Sequence, residues 1–249
     1  MRFKHKILLI IGLCITLSIG SFFIIRFMFD NLENQLYEKC QIEAHLGARI
    51  MSDVMEFMIA EKSLSEQDLF DTNYIEIPGT NPKKFHTRYD VKIQKYIQKI
   101  QDEFLRDTDI DFAVLADKNG YVPVHNTKYS QPATGNYQID LVKSRAKRIF
   151  SDNPAIKKAL EYKGDETVRL LYHRDTGETM WLIGSPVNLR GRLWGFYLMG
   201  VSLQRIDIIK NQMTIITVTV MFMILSISLL AIIGMIPRKL LASDLDVDR

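Results

Sequence analysis

Two long apolar runs constrain this chain more than any other feature of its sequence. Residues 7–25 form a run of 19 whose only polar members are Thr16, Ser18 and Ser21, and residues 213–236 form a run of 24 without a charged side chain. At about 1.5 Å of rise per residue, a helix of either length crosses a hydrocarbon core of about 30 Å. The sequence therefore predicts two transmembrane helices, and the absence of charge disfavours a buried core helix for the second run.

A cleaved signal peptide is the alternative interpretation of the first run. Such a peptide has a shorter apolar core, followed by a cleavage site of small residues. Here the run continues into Arg26-Phe-Met-Phe29 without an A-x-A pattern. We therefore expect an uncleaved membrane anchor.

Basic residues beside the two runs predict the orientation of the chain in the membrane. They lie before the first run and after the second, and they are Arg2, Lys4, Lys6, Arg238 and Lys239. Because basic residues are concentrated on the cytoplasmic side of membrane proteins, both termini are expected in the cytoplasm. Residues 30–212 are then extracytoplasmic, although Arg26, Arg205 and Lys210 at the opposite ends of the runs weaken the bias.

The positive net charge of the chain is concentrated at its first membrane run. Of 32 basic and 29 acidic residues, residues 1–29 hold four basic and no acidic ones, whereas residues 30–212 hold 25 basic and 26 acidic ones. The outer segment therefore lacks the basic surplus that is typical of nucleic-acid binding. Its only cysteine is Cys40, since Cys14 lies in the first run, so no disulfide can form within it.

These observations predict six segments along the chain. They are a cytoplasmic N-terminus (1–6), the first transmembrane helix (7–29), a stalk or long helix (30–66), a sensor-like domain (67–211), the second transmembrane helix (212–236) and a short cytoplasmic tail (237–249).

The stalk has the residue spacing of a helix that pairs with a second helix. Steps of four and three residues connect Leu36, Cys40, Glu43, Gly47, Ile50, Val54 and Phe57. This is the seam spacing of a coiled coil, although Glu43 and Gly47 interrupt it. We expect a homodimer in which Leu36, Cys40, Gly47 and Val54 form the contact.

The outer segment alternates between helical and strand patterns. Helices are expected over about 90–106, 139–150 and 154–162. Strands are expected over 112–117, 121–126, 168–173, 178–187 and 192–203, the first two joined by an Asn-Gly hairpin turn. This order predicts an α+β fold: an antiparallel sheet of about five strands with helices beside it and a long N-terminal helix.

This order of elements, together with several short strings, resembles the extracytoplasmic Cache (PAS-like) sensor domains of bacterial methyl-accepting chemotaxis receptors. The strings are LFDTNYIEIPGTNP at 69–82, DKNGYVPVHN at 117–126, YSQP at 129–132, KRIF at 147–150, RDTGE at 174–178 and GRLWG at 191–195. The resemblance spans about residues 40–205.

The resemblance implies a homodimeric, two-pass sensor in the bacterial inner membrane. Such a protein binds a small molecule outside the cell membrane and passes a conformational change to a cytoplasmic partner. Receptors of this kind continue into a cytoplasmic signalling module, whereas only residues 237–249 follow the second run here. We therefore expect either a separate signalling protein as partner or a truncated receptor, and a non-signalling anchored interaction module is the alternative.

The same resemblance implies a ligand pocket between sheet and loops, walled by aromatic and polar side chains. The candidates are His125, Tyr129, Arg145, Arg148, Trp194, Tyr121, Gln131, Tyr172 and Trp181. On a helix, Arg145 and Arg148 share one face, and two guanidinium groups suit a carboxylate ligand. A solvated helix surface is the alternative for these two arginines, as core packing is for the aromatic residues and His125.

The sequence contains none of the motifs that would indicate an enzyme. It lacks a P-loop, a G-x-G-x-x-G string, H-E-x-x-H and C-x-x-C-H. The five histidines show no metal-ligand spacing. We therefore expect no catalysis, no metal and no cofactor.

Overall fold

The computed structural model describes residues 3–234 of the chain. The predicted tail 237–249, the end of the second apolar run and the flanking Arg2, Arg238 and Lys239 lie outside the described residues. The helices are α1 (Phe3–Ala60), α2 (Glu66–Leu69), α3 (Asp90–Phe104), α4 (Tyr137–Lys143), α5 (Pro154–Leu160) and α6 (Leu203–Gly234), with a short 3₁₀ helix at Thr127–Tyr129. The strands are β1 (Ile75–Glu76), β2 (Phe85–His86), β3 (Ile110–Asp117), β4 (Tyr121–Val122), β5 (Arg148–Ile149), β6 (Val168–His173), β7 (Thr179–Leu189) and β8 (Arg192–Ser202).

The chain divides into two compact units, and the first contains its two apolar helical segments. This unit consists of the chain up to residue 35 and from residue 206 onward. Both segments are long and apolar enough to cross a membrane, and almost none of their apolar side chains is buried within the protein. Large apolar side chains exposed along whole helices are stable in lipid rather than in water. Two such helices flanking a folded domain are consistent with a two-pass membrane protein.

The second unit, residues 36–205, is built on one antiparallel sheet of four strands in the order β3-β8-β7-β6. Alternate residues of each strand point to opposite faces. One face packs against α1 and α3 through Leu115, Tyr197 and Met199, and the other packs against α5 through Val114 and Phe196. The mixed helix and sheet plan predicted from the sequence is confirmed.

The sheet has four strands, so the prediction of about five is wrong. The expected strand over 121–126 pairs for only two residues, and its partner is β5 rather than the main sheet, with Tyr121 opposite Ile149 and Val122 opposite Arg148. The next residue is Pro123, which has no N–H group to continue a ladder. A turn does precede this strand, since Gly120 has a φ of +80° and its N–H donates to the carbonyl of Asp117 at 2.9 Å. The predicted hairpin is wrong, because β3 pairs with β8 and not with β4.

The helix predicted over 139–150 is wrong beyond residue 143. After α4 the backbone N–H groups donate to distant carbonyls instead of to the preceding turn: Arg145 to Tyr129 and Lys147 to Val122, each at 2.7 Å. Lys147 also has a φ of +65°, which no α-helix contains. Arg145 and Arg148 therefore lie on either side of a turn and not on a helix. By contrast, the helix predicted over 90–106 is confirmed by α3.

Candidate ligand-binding site

The candidate site lies on the face of the main sheet that α5 covers. Phe112 of β3, Tyr172 of β6 and Leu198 of β8 border a cavity of about 20 Å³ there, together with His125 and Arg145 from the segment between β4 and β5. A cavity of this size holds about one water molecule. Its border is unusual for an apolar core, because Arg145 is only 2% exposed and His125 only 3%.

Arg145 and Arg148 converge on one carboxylate, and we call this pair the arginine fork. Nη1 of Arg145 lies 2.7 Å from Oδ1 of Asp175, and Nη2 of Arg148 lies 3.0 Å from Oδ2. Both guanidinium groups also donate to the carbonyl of Leu141, at 2.8 and 3.3 Å. Both lie over the ring of Phe150, 5.0 and 4.8 Å from its centroid. The fork is thus positioned to hold two oxygens of one carboxylate.

Arg174 is a third buried arginine, at the end of β6. Its Nη1 donates to Asp111 at 2.8 Å and to Glu178 at 3.2 Å, and its guanidinium lies 4.5 Å from the ring centroid of Tyr129. Its Nε and Nη2 are buried and have no hydrogen-bond partner among the described residues. A buried donor without a partner costs roughly 1–3 kcal/mol. Nε and Nη2 of Arg174 are therefore buried donors whose hydrogen-bonding capacity is unused among the described residues.

His125 lies between the rings of Phe112 and Tyr129, at centroid distances of 5.9 and 5.0 Å. Its Nδ1 accepts a hydrogen bond of 2.9 Å from the backbone N–H of Asn126. Burial, reinforced by the positive charge of Arg145, holds the pKa of His125 well below its usual value of 6.5. The imidazole is therefore neutral and contributes no positive charge to the site.

The charges of the site do not balance. Burial alone would raise the pKa of Asp175, but the arginine fork outweighs it and holds the pKa below its usual range. The pKa of Asp111 is lowered in the same way, against burial, by hydrogen bonds from Tyr129 and Lys128. Both aspartates are therefore anions at neutral pH. Lys128 pairs with Asp111 and Glu178 pairs with Arg174, so the cluster contains four cations and three carboxylates, and its net charge of one positive unit favours an anionic ligand.

Five of the nine predicted ligand-binding residues meet at this site. They are His125, Tyr129, Arg145, Arg148 and Tyr172. The two arginines share it although they do not lie on a helix.

The other four predicted residues lie elsewhere. Tyr121 and Trp194 belong to the core on the α1 side of the sheet, where Trp194 Nε1 donates to the carbonyl of Leu69 at 2.7 Å. Trp181 lies beside the guanidinium of Arg169, 4.8 Å from its ring centroid. Gln131 is exposed. Packing explains the positions of Tyr121, Trp194 and Trp181 without a ligand.

The predicted dimer residues face the interior of their own chain. Cys40 is fully buried, and a Cβ atom added at Gly47 would overlap the ring of Tyr197. Leu36 and Val54 are half-buried against the same core. The seam spacing therefore marks the side of α1 that packs on the sheet, and a dimer contact through these residues would require them to leave that core.

Three residues of the site were not predicted from the sequence: Arg174, Asp175 and Asp111. The first two begin the RDTG string, which on its own indicates only a turn, and charged residues in turns are normally solvated. Their role depends on contacts with residues about 30 and 60 positions away, and no local pattern reports those contacts. One signal could have pointed to Arg174 and Asp175: both are charged, and both lie in a string on which the family resemblance rests.

The chain is similar to several solved sensor domains. No protein-family model and no curated protein matches it. The sensor domain of the Vibrio cholerae histidine kinase DctB is 15% identical over 73% of this chain, with a TM-score of 0.34. The Escherichia coli DcuS sensor domain is 15% identical over 67%, with a TM-score of 0.35. The ligand-binding domain of the Campylobacter jejuni chemoreceptor Tlp3, in complex with L-valine, is 11% identical over 70%, with a TM-score of 0.35.

These structures are sensor and ligand-binding domains of histidine kinases and chemoreceptors. This chain spans 58% of the DctB structure and 64% of the Tlp3 structure, less than two thirds of either, and 98% of the DcuS structure. At these identities and TM-scores, the function proposed below rests on the residues of this chain alone.

Proposed function

We propose that this chain is a membrane-anchored sensor that binds a small anionic ligand at the arginine fork and Arg174. The observation that carries the proposal is the pair of buried N–H donors of Arg174, Nε and Nη2, which have no partner among the described residues, in a cluster whose net charge is positive. A carboxylate ligand would supply both the missing charge and the missing acceptors. Because the cavity has room for only about one water molecule, aromatic side chains beside the arginines, such as Tyr129 and Tyr172, would have to move apart to enclose the apolar part of the ligand.

The sensor domain would face the outside of a bacterial inner membrane, with both termini in the cytoplasm. Support comes from the two apolar helical segments and from the basic residues that flank the apolar runs in the sequence. The segments proposed for this topology are 1–6, 7–29, 30–66, 67–211, 212–236 and 237–249.

Binding would be transmitted to a cytoplasmic partner through the strands that end in the second apolar helix. The arginine cluster contacts the turn between β6 and β7, β7 pairs with β8 along its length, and β8 continues in the chain into α6. For a signal to arise, the ligand must bind two conformations with different affinity, since equal affinity shifts no equilibrium.

A homodimer would use the solvent face of α1 rather than the predicted seam. Ile42 is 69% exposed and Leu46 is 50% exposed on this face, and Phe57, the last residue of the predicted seam, is 54% exposed at its edge. Their spacing of four and eleven residues keeps them on one side of the helix. Large apolar side chains in one line on a helix are typical of a contact with a second helix.

The test is a thermal-shift screen of the full chain in detergent against small organic acids, amino acids and amines. At one hundred times its dissociation constant, a ligand that binds only the folded protein stabilises it by about 2.7 kcal/mol. We expect stabilisation by one or more acids, lost in Arg145→Gln and kept in Arg106→Gln, an exposed arginine that pairs only with Glu103. Stabilisation by no acid, or an equal effect in Arg145→Gln, would contradict the proposal and favour a non-signalling anchored module.

A further inference from the structure

We infer that Asp175 is a tethered anion that occupies the arginine fork in the absence of ligand, and that a ligand carboxylate must displace it to bind. The inference rests on the proposed function and assigns a regulatory role to a residue of the turn between β6 and β7. Because Asp175 competes for the fork, only anions with sufficient affinity for the two arginines would bind.

The contact geometry is that of a bound carboxylate. Each oxygen of Asp175 accepts from a different arginine, Oδ1 from Arg145 at 2.7 Å and Oδ2 from Arg148 at 3.0 Å. A free carboxylate placed between the two guanidinium groups would make the same two charge-assisted contacts. The fork therefore cannot hold Asp175 and a second carboxylate at these positions together.

Exposure distinguishes the two sides of this contact. The side chain of Arg145 is 2% exposed and that of Arg148 is 11% exposed, whereas that of Asp175 is 33% exposed. The arginines belong to the interior, and the aspartate reaches them from the surface. An anion arriving from solvent therefore approaches the fork from the side of Asp175.

The arginines keep other contacts when Asp175 leaves. The carbonyl of Leu141 accepts from both of them, and both lie over the ring of Phe150. These contacts involve neither Asp175 nor the turn. The fork is thus organised for an anion before the ligand arrives, and only the acidic partner has to move.

The side chain of Arg174 anchors the start of the turn to Asp111, and the residues that follow have few attachments outside the hairpin. Gly177 has a φ of +97° and donates its N–H to the carbonyl of Arg174 at 2.9 Å, and Arg174 donates its N–H to the carbonyl of Glu178 at 2.9 Å. Both hydrogen bonds lie within the hairpin. The turn can therefore move away from the fork without breaking them.

Displacement is selective for anions. If Asp175 left without replacement, two buried guanidinium groups would lose their counter-charge, which is strongly unfavourable. An apolar or cationic molecule cannot restore that charge, whereas a carboxylate can. When an anion binds the fork, Asp175 must leave it, and the turn between β6 and β7 moves with Asp175. This turn is next to the strands that lead to α6.

The experiment compares the wild-type full chain with Asp175→Asn, using acetate as the probe and chloride at the same ionic strength as the reference. If Asp175 leaves the fork free about a tenth of the time, its removal strengthens acetate binding about tenfold. The matched control is Asp165→Asn, an exposed aspartate outside the cluster, which should leave the affinity unchanged. Adding Arg145→Gln to Asp175→Asn should abolish the gain.

A second measurement on the wild-type chain does not depend on how the variant folds. The backbone amide NMR signals of Asp175 and Thr176 should shift in acetate and stay in place in chloride at the same ionic strength. Equal acetate affinity in wild type and Asp175→Asn, no acetate binding in either, or unchanged signals in the turn would overturn the inference. If the acid screen still finds a ligand that requires Arg145, the proposed function stands without the tethered anion.

Discussion

At the scale of single residues, the site is defined by buried polar groups, whose burial is unfavourable unless a hydrogen-bond or charge partner compensates for it. Arg145 and His125 are almost fully buried, and Arg174 has donors without a partner among the described residues. Burial of a cation and a neutral imidazole side by side makes the site sensitive to protonation. It also makes the site sensitive to any anion that neutralises the arginines.

His125 should make the folded protein sensitive to acid. Because the pKa of His125 is lowered by burial in the folded state, only the unfolded chain takes up this proton as the pH falls below 6.5. Stability is thus lost on acidification, by about 1.4 kcal/mol for each pH unit between the unfolded and folded pKa values. Thermal unfolding of the full chain at pH 7.5 and 5.5 should show a larger drop in the midpoint for wild type than for His125→Gln. Equal drops would mean that His125 is protonated in the folded protein.

The sequence predicts a site residue correctly where the chemistry of its side chain suits a ligand, and incorrectly where a contact with a distant residue determines whether it belongs to the site. Arg145 and Arg148 are predicted because two guanidinium groups suit a carboxylate ligand, and they converge on one carboxylate. His125 and Trp194 are predicted as polar and aromatic pocket walls; His125 borders the cavity, whereas a hydrogen bond to the carbonyl of Leu69 accounts for Trp194. Asp175 was not selected, because nothing near it in the sequence indicates that it meets two arginines.

At the scale of elements, periodicity predicted which segments are helices better than it predicted which way they face. The seam of α1 is real as a pattern, but it packs on the protein's own sheet, as the contact of Gly47 with Tyr197 requires. Spacing alone cannot distinguish a partner helix from a partner sheet, because both need an apolar line. Similarly, the strand expected over 121–126 is cut short at Pro123.

The corrected orientation of α1 predicts where two copies of the chain meet. In full chains with Cys14→Ser, Leu46→Cys should form a disulfide-linked dimer on oxidation in the membrane, because Leu46 lies on the exposed apolar face. The native Cys40 is the internal control. Burial raises the pKa of Cys40 to about 12, so its thiol stays protonated and unreactive.

The readout is a non-reducing gel of the Leu46→Cys chain beside the Cys14→Ser parent. A dimer band only with Leu46→Cys agrees with the exposed face as the contact. A dimer band in the parent would restore the seam through Cys40, and no band in either would exclude close pairing of α1 at Leu46.

At the scale of the whole molecule, the two apolar runs form long apolar helices as predicted, because such helices depend on composition and length rather than on long-range contacts. The outer domain was predictable as an α+β fold from the order of its elements. The exact sheet was not, because pairing is decided between strands as distant as β3 and β8. The sequence predicted that the site would contain arginines and aromatic side chains, but it predicted only some of the residues that form it.

The most direct measurement of the central claim is the NMR signal of the Arg174 Nε–H group. The full chain would carry ¹⁵N-labelled arginine, the signal would be assigned by its loss in Arg174→Lys, and the acid with the largest thermal shift would be titrated. We predict that this signal shifts and exchanges more slowly with water, because the ligand supplies the acceptor that Nε lacks among the described residues. An unchanged Arg174 signal at saturating ligand would contradict the claim that an anion binds at this cluster.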